Sequence, residues 1–538
     1  MLIYFTLVKK VAQAVDRRRK QTSPQPSAPS TSQVVAGYTG QSVAVKQVTA
    51  ITPAYESIKV GYDSSMETLA FTPDATKELV KHYYWMLYRG SPVPSLLLIG
   101  PPGVGKSTAV REVAEEIAKQ VGKVFVDITN KQTRDSIYRE IMECAKTKDL
   151  SACLSERNYF LFMDLRLTEV EPVDLVGYPY REEGRMEYSP PAWALLFSWF
   201  PGILFLDELS NVRREDVMAA AYKLLLDKAA GFTKFHRNVL VVAAGNLPTH
   251  APGIAQQLPP PVVNRVAMKY VSAPTIDEWY KWMNSQINEL VRIGGLDAET
   301  GAQIRETLDL VTMFLINNPE DFINTKQAGG MRSDNFPTPR SWSHFVFSYP
   351  MSTLRRIAEN KESLVAVISA FVGPVVASKL ADAITGYVLI PFREVLNDPS
   401  KFRAYVDEVV ERAKLKNQGK VISALTEITL GLAIGLPIKI IEFKPSRENV
   451  SKLLDTAVKT LREHFAKNAG RDMGDFTCSM LRSISAGLKQ LVASKKVIHG
   501  EAELQHAISV QGAVDAKVME EKCTQNVLNI FSLLSSLK

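Results

Sequence analysis

The apolar positions of this chain follow two different rhythms. Up to about residue 271 they gather into short uninterrupted runs, residues 95–99 (SLLLI), 203–206 (ILFL) and 239–243 (VLVVA), which lead into glycine, acidic or amide residues. Runs this short, bounded by turn-forming or charged residues, predict buried strands. Behind the first of them Val110, Val113, Ala114, Ile117 and Val121 recur at helical spacing until Gly122, the pattern of an amphipathic helix and its stop. Strands alternating with helices predict an α/β fold, a parallel sheet covered by helices on both faces. From residues 265–275 onward helical spacing takes over, as in 276–292 and 308–316. After Pro391 the chain is helix-like almost to its end, with amphipathic stretches at 402–415, 448–467 and 479–493, and no repeat of fixed period appears.

Two uncharged runs, 363–378 and 428–438, are shorter than the roughly 20 apolar residues that cross a bilayer, and Glu427 and Lys439 bracket the second. Buried helices are expected there, and no membrane span. The first 20 residues (MLIYFTLVKKVAQAVDRRRK) place an apolar run before a basic one, the reverse of a secretory leader, and predict an amphipathic or frayed helix. Residues 21–47, rich in Ser, Pro, Thr and Gln, cannot bury enough apolar surface to offset the entropy of ordering and predict a flexible linker.

Over 538 residues, 46% apolar and 22% charged side chains are the composition of a globular protein of several folding units, which excludes wholesale disorder and a fibrous chain. Cys144, Cys153, Cys478 and Cys523 are too few and too scattered for a disulfide framework or a paired CxxC metal site, so a reducing compartment, the cytoplasm, is expected. The formal net charge is +7, but its distribution says more. Residues 1–47 hold seven basic and one acidic side chain, 401–538 hold 21 and 15, and the stretch between holds 36 and 41. The central body is mildly acidic, and a nucleic-acid or other anionic partner is a question for the two basic ends alone.

The strand at 95–99 runs into Gly100, Pro101, Pro102, Gly103, Val104, Gly105, Lys106, Ser107 and Thr108, and then into the helix. This is the GxxxxGK[ST] pattern between strand and helix. The glycines let backbone N–H groups turn inward around phosphates, the helix N-terminus adds its positive end, Lys106 reaches the β and γ phosphates, and Ser107 holds Mg²⁺. A glycine-rich connecting turn is the bland alternative, and the flanking strand and helix weigh against it.

About 100 residues on, the strand at 203–206 ends in Asp207 and Glu208. Carboxylates at the end of a buried parallel strand face the crevice where ligands bind. Asp207 is then placed for the metal shell and Glu208 to polarise an attacking water as general base, although strand-end acids facing solvent would look the same in isolation. The strand at 239–243 runs into Asn246, whose amide could orient that water or simply cap the strand. Arg265 follows in LPPPVVNR and could reach across a subunit boundary to a neighbour's nucleotide, or form a surface ion pair.

Seven motifs now stand in a fixed order: GPPGVGKST at 100–108, MDLRLTEVEPVDLVGYPY at 163–180, GRMEYSPPAW at 184–193, GILFLDELS at 202–210, VVAAGN at 241–246, LPPPVVNR at 258–265 and FPTPRSW at 336–342. Over about residues 70–395 the chain resembles the MoxR-like, dynein-related branch of the AAA+ ATPases. The resemblance implies a P-loop NTPase core over 48–270, a helical lid over 271–400, and beyond them an all-α region, 401–538, for which no family is evident. The basic segment 1–47 is left as a disordered arm. It further implies that Asn246 is the sensor 1 residue, that Arg265 is an arginine finger acting in trans, and that Arg340, opening a lid helix, is the sensor 2 arginine touching the γ phosphate in cis. Residues 180–191 are similar to a hairpin that faces the pore of a ring, with Glu182, Glu183, Arg185 and Tyr188 as candidate contacts for a client; a solvated hairpin is the plain alternative. Residues 130–158, with Cys144 and Cys153, are an insertion that simpler members lack, read as helical.

The function this implies is an ATPase, with ATP and Mg²⁺ as ligands, that works as a ring oligomer, a hexamer, and remodels a protein client. Members of this branch often pair with a von Willebrand A domain protein; its DxSxS motif is absent from this sequence, so such a partner would be a separate chain. A DNA-directed motor or loader, and a nucleotide-gated adaptor with little turnover, are the alternatives.

Overall fold

The computed structural model describes residues 60–63, 68–246, 255–256, 258–324, 335–416, 419–470, 474–495, 501–521 and 523. The arm expected at 1–47 lies outside them. The chain divides into two compact units, one of Met1–Ile99, Lys106–Pro248 and Gly253–Val271, the other of Gly100–Gly105, Thr249–Pro252 and Ser272–Lys538.

In the first unit β1 (Val60–Asp63) and β2 (Thr68–Phe71) precede α1 (Pro73–Tyr88), β3 (Leu96–Ile99), α2 (Lys106–Gln120), β4 (Val124–Asp127), α3 (Lys131–Thr147), α4 (Leu150–Ser155) and β5 (Tyr159–Arg166). Then come α5 (Pro172–Val176), the hairpin β6 (Tyr178–Glu182) and β7 (Arg185–Ser189), α6 (Ala192–Trp199), β8 (Gly202–Asp207) and α7 (Glu215–Asp227). A short hairpin, β9 (Ala229–Ala230) and β10 (Thr233–Lys234), leads to β11 (Val239–Gly245), α8 (Pro260–Val263) and β12 (Ala267–Val271). Seven strands lie parallel in the order β2, β12, β3, β11, β8, β5, β4, and β1 adds an antiparallel edge. The predicted parallel sheet is therefore present.

Because side chains alternate across a strand, each central strand feeds two cores. Leu161, Met163, Leu204, Leu206, Val239 and Val241 point to one face and pack with Ile137 of α3, Trp193 and Phe197 of α6 and Leu224 of α7. The intervening residues, among them Phe160, Phe205 and Val242, are equally buried and face α1 and α2. Tyr84 of α1 meets Phe160 edge-on at 5.4 Å. Burial on both faces is why these strands read as unbroken apolar runs rather than as alternating ones.

The 130–158 insertion is helical, as α3 and α4. Asn130 and Asp149 cap the two helices by accepting from the N–H groups of Gln132 (2.7 Å) and Ser151 (2.9 Å). The four cysteines correct the sequence-based expectation. Cys144 is joined to Cys153 across the turn between α3 and α4, and in the second unit Cys478 is joined to Cys523. Helices that double back bring sulfurs together whatever their distance along the chain, which spacing alone does not reveal.

The second unit is helical: α9 (Ile276–Arg292), α10 (Ala298–Asn317), α11 (Pro339–Ser348), α12 (Met351–Ile357), α13 (Lys361–Val372), α14 (Pro374–Leu389), α15 (Phe392–Asn397), α16 (Lys401–Lys416), α17 (Gly419–Phe443), α18 (Arg447–Ala469), α19 (Gly474–Lys495) and α20 (Glu501–Glu520). Helices before and after residue 400 share one apolar core, from Trp279 and Phe314 through Ile384 and Ile434 to Leu488 and Val514. Helix α9 coincides with the predicted 276–292 because a capping box starts it: Thr275 Oγ1 accepts from the Glu278 N–H (3.2 Å) and Glu278 Oε2 from the Thr275 N–H (2.8 Å). The uncharged run at 363–378 is split between α13 and α14 at Gly373.

The run at 428–438 lies inside α17. By length and composition α17 is the one helix among the described residues that could cross a membrane, yet 78% of its apolar window is buried inside the protein. It packs against α14 through glycines: a Cβ on Gly386 would fall 1.7 Å from the Glu427 carbonyl oxygen, so only glycine permits this approach.

Candidate nucleotide site

The site is built where parallel strands end. After Ile99 the chain turns through Gly100–Gly105 and enters α2 at Lys106. Gly103 and Gly105 hold φ at +77° and +97°, left-handed values that a side chain would oppose. Strands β11 and β8 follow β3 in the sheet, so Gly245 and Asp207 close the neighbouring strand ends.

Five predicted residues lie there. Lys106 is buried, and its ammonium donates to Asn246 Oδ1 at 3.3 Å. The Ser107 hydroxyl donates to Asp207 Oδ2 at 2.9 Å, and the Glu208 N–H donates to Asp207 Oδ1 at 2.8 Å, so both oxygens of that carboxylate are engaged. Glu208 itself has left-handed backbone, φ 60° and ψ 30°, an arrangement uncommon outside glycine and frequent at functional positions. Around the loop Gly100, Pro101 and Val104 are buried, Pro102 is half-buried and Thr108 is exposed.

Three further residues escaped the sequence reading, although each lies inside a quoted motif. The Thr168 hydroxyl donates to Glu208 Oε2 at 2.6 Å and fixes that carboxylate. Buried Ser210 accepts the Asn246 N–H at 2.7 Å, tying the end of β11 to the turn after β8. Asp164 lies on β5, in register with Phe205 of β8, and the pleat turns it to the same face as Asp207 two residues on. One of its oxygens is buried with no hydrogen-bond partner among the described residues. Burial, and then the Asp207 charge, push its carboxyl up to about 7.

The two arginines take no part in these contacts. Arg265 follows α8 in the first unit, exposed, and its guanidinium makes no hydrogen bond or ion pair with the described residues. Arg340, in the first turn of α11 in the second unit, is also exposed, and its backbone N–H donates to the Gly103 carbonyl at 3.2 Å.

Ser107 and Asp207 offer two hard oxygen donors, and among the described residues no three His, Cys, Asp or Glu cluster for a metal. That donor set fits Mg²⁺, which takes one or two protein oxygens and completes its shell with water and phosphate. It does not suit a metal that needs an all-protein cage.

Residues 96–272 match the family described as ATPase family associated with various cellular activities (AAA). This stretch is an AAA domain. It covers β3 to β12 and every polar contact just described in the first unit. No curated protein matches the chain. Among solved structures, NtrX from Brucella abortus in complex with ATP is 14% identical over 61% of this chain and 69% of its own, with a TM-score of 0.23. The Aeropyrum pernix ORC1 protein in complex with DNA is 15% identical over 55% and 70%, with a TM-score of 0.21. Drosophila ORC bound to poly(dA/dT) DNA and Cdc6 is 12% identical over 85% and 72%, with a TM-score of 0.25. Likeness at this level does not extend to what those proteins bind.

The AAA domain also carries two hairpins away from the strand ends. A Cβ on Gly231, in the β9–β10 turn, would fall 2.3 Å from the Val176 carbonyl, and one on Gly177 2.4 Å from the Ser189 carbonyl, so the short hairpin abuts the base of β6–β7. Tyr188 meets Phe232 at 5.6 Å, and the Lys223 ammonium lies 4.9 Å from the Phe232 ring centre. Tyr178, Met186 and Phe232 are between 66% and 78% exposed, unusual for large apolar side chains.

Proposed function

We propose that the chain is a Mg²⁺-dependent ATPase of MoxR-like type that hydrolyses ATP to ADP and phosphate and works as a hexameric ring to remodel a protein partner. One observation carries this reading: the Lys106 ammonium, the Ser107 hydroxyl and the Asp207 carboxylate converge at the ends of parallel strands behind a glycine loop. Lys106 neutralises the β and γ phosphates as a buried point charge. Ser107 and Asp207 would hold Mg²⁺, which when bound offsets the negative charge of the phosphate oxygens. Glu208, its carboxylate steadied by Thr168, takes the proton of the attacking water. Asn246 turns its amide oxygen to Lys106, which leaves its NH₂ group to orient that water. Exposed Arg265 serves the nucleotide of a neighbouring copy, and Arg340 the γ phosphate bound by its own chain.

Phosphate release and nucleotide binding test this directly. Lys106→Ala is expected to abolish binding, and Glu208→Gln to bind ATP without turnover; release unchanged by Glu208→Gln would overturn the catalytic assignment. Mixing Arg265→Ala with Glu208→Gln subunits should restore some turnover, since each supplies what the other lacks, and no complementation would remove the trans role. The client contact is proposed at the exposed rings of the two hairpins, with a separate von Willebrand A protein as one candidate. A DNA-directed motor is the less favoured reading, because much of the positive charge in the C-terminal helices is already matched, as in Arg403–Glu463, Lys452–Glu448 and Lys517–Asp455. DNA-stimulated, strongly salt-dependent hydrolysis would reverse that order.

A further inference from the structure

We infer that Thr338 is a positioning residue that locks the start of α11 onto the phosphate loop and so sets where the Arg340 guanidinium stands. The inference rests on the ATPase reading and concerns the loop Gly100–Gly105 and α11, which belong to one compact unit. The first N–H groups of a helix have no partner within it and must find acceptors elsewhere. In α11 each is accounted for. Pro339 has none to satisfy. The Arg340 N–H donates to the Gly103 carbonyl at 3.2 Å, and the Ser341 N–H to Thr338 Oγ1 at 3.1 Å. The Ser341 hydroxyl accepts in return from the Thr338 N–H at 2.9 Å, closing a capping box. Two of the three N–H groups at the helix start are thus satisfied by its own cap and the third by the phosphate loop.

The same threonine occupies the space above Gly103. A Cβ built there would lie 2.9 Å from Thr338 Oγ1, 3.0 Å from its Cβ and 3.4 Å from its Cγ2. Thr338 is buried, so it has little room to give way. Gly103 therefore meets two demands, the left-handed turn of the loop and contact with the lid. A loop that changes shape around phosphates moves the Gly103 carbonyl, and with it the N–H of the very residue whose side chain is assigned to the γ phosphate. Further along, Trp342 Nε1 donates to the Asp321 carbonyl at 3.1 Å and anchors α11 in the helical core, so the first turn is the part left to follow the loop.

The test compares affinities of the full chain for ADP and for a non-hydrolysable ATP analogue, each titrated with Mg²⁺ present. Thr338→Ala is expected to weaken analogue binding about fivefold, the order of a lost helix cap, while ADP binding changes less than about twofold. Thr338→Ser, which keeps the hydroxyl, should restore the analogue. Arg340→Ala should lose the same selectivity, and the double variant should be no worse than Arg340→Ala alone, because both act through one guanidinium. Amide exchange at residues 340 and 341 should quicken in Thr338→Ala. Wild-type affinities in Thr338→Ala, equal losses for ADP and analogue, or additive effects in the double variant would each overturn the positioning role. A wild-type chain that binds neither nucleotide would overturn the ATPase reading and the role built on it.

Discussion

Two charge clusters, one in each unit, are arranged in opposite ways. In the helical unit the half-buried Glu306 carboxylate sits in a network of opposite charges. Glu306 Oε1 accepts from the Tyr387 hydroxyl (2.5 Å), the Arg355 guanidinium (2.6 Å) and the Lys439 ammonium (2.9 Å), while Lys361 bridges Asp382 and Glu427. At the strand ends of the α/β unit, charge is concentrated and only partly matched. Among the described residues Asp164 keeps a buried oxygen without a hydrogen-bond partner beside Asp207, and Glu208, on a left-handed backbone, is held by the Thr168 hydroxyl. Folding alone would select against the second arrangement, since unmatched buried charge costs free energy. The contrast teaches that the helical network serves stability, whereas the strand-end cluster keeps a deficit that a bound cation and phosphates can fill.

If so, variants should separate by what they damage. Glu208→Gln should lower phosphate release by roughly two to four orders of magnitude, the usual weight of a general base, and leave the melting temperature almost unchanged. A large loss of stability would erase the comparison at its sharpest point. Glu306→Ala should do the reverse. Removing the half-buried carboxylate from its three partners leaves buried Lys439 and the Tyr387 hydroxyl without it and should cost about 1–3 kcal/mol, readable as an earlier urea midpoint, while turnover at low temperature persists. Gly386→Ala tests packing in the same unit without touching charge: the clash with the Glu427 carbonyl should cost about 1–3 kcal/mol, and a neutral result would mean that α14 and α17 can move apart.

The pH dependence should differ in sign, with the smallest amplitudes. Burial alone would push Glu306 up, but Tyr387, Lys439 and Arg355 outweigh it and hold its carboxyl below the ordinary value. Its stabilising effect is therefore present above the unfolded-state value and lost as pH falls through the lower folded-state value, so Glu306→Gln should flatten the acid limb of the stability curve. Asp164, raised to about 7, works the other way: the folded chain binds the extra proton, and stability declines as pH rises from the unfolded-state value toward 7. Asp164→Asn, melted without nucleotide or divalent metal, should gain slightly on wild type at pH 8 and converge with it near pH 4. Curves that run parallel would mean that neither burial nor the Asp207 charge raises the Asp164 carboxyl.

Much of this was legible in the residues. The runs at 95–99, 203–206 and 239–243 became β3, β8 and β11, and 276–292 became α9, because burial on two faces and an amphipathic period leave direct marks on a sequence. The glycine loop between strand and helix, and the strand-end residues Asp207 and Asn246 that Ser107 and Lys106 meet, stand where the sequence pattern put them. Thr168, Ser210 and Asp164 were not singled out, though all stand in motifs already noticed. Each matters through a neighbour 36 to 43 residues away, Glu208, Asn246 or Asp207, and a threonine, serine or aspartate carries no mark of that distant partner.

By itself the sequence determined which elements exist, that they alternate into a parallel sheet before turning helical, and which loop needs the backbone freedom of glycine. Those properties are local, set by side-chain period, backbone freedom at glycine and donor type. Tertiary structure alone decided the rest: the strand order that sets Asp164 beside Asp207, the doubling back that joins Cys144 to Cys153, and the approach of Thr338 to Gly103. These depend on which surfaces pack together across long stretches of chain. Packing is chosen by shape and burial summed over many residues, and no short motif encodes it.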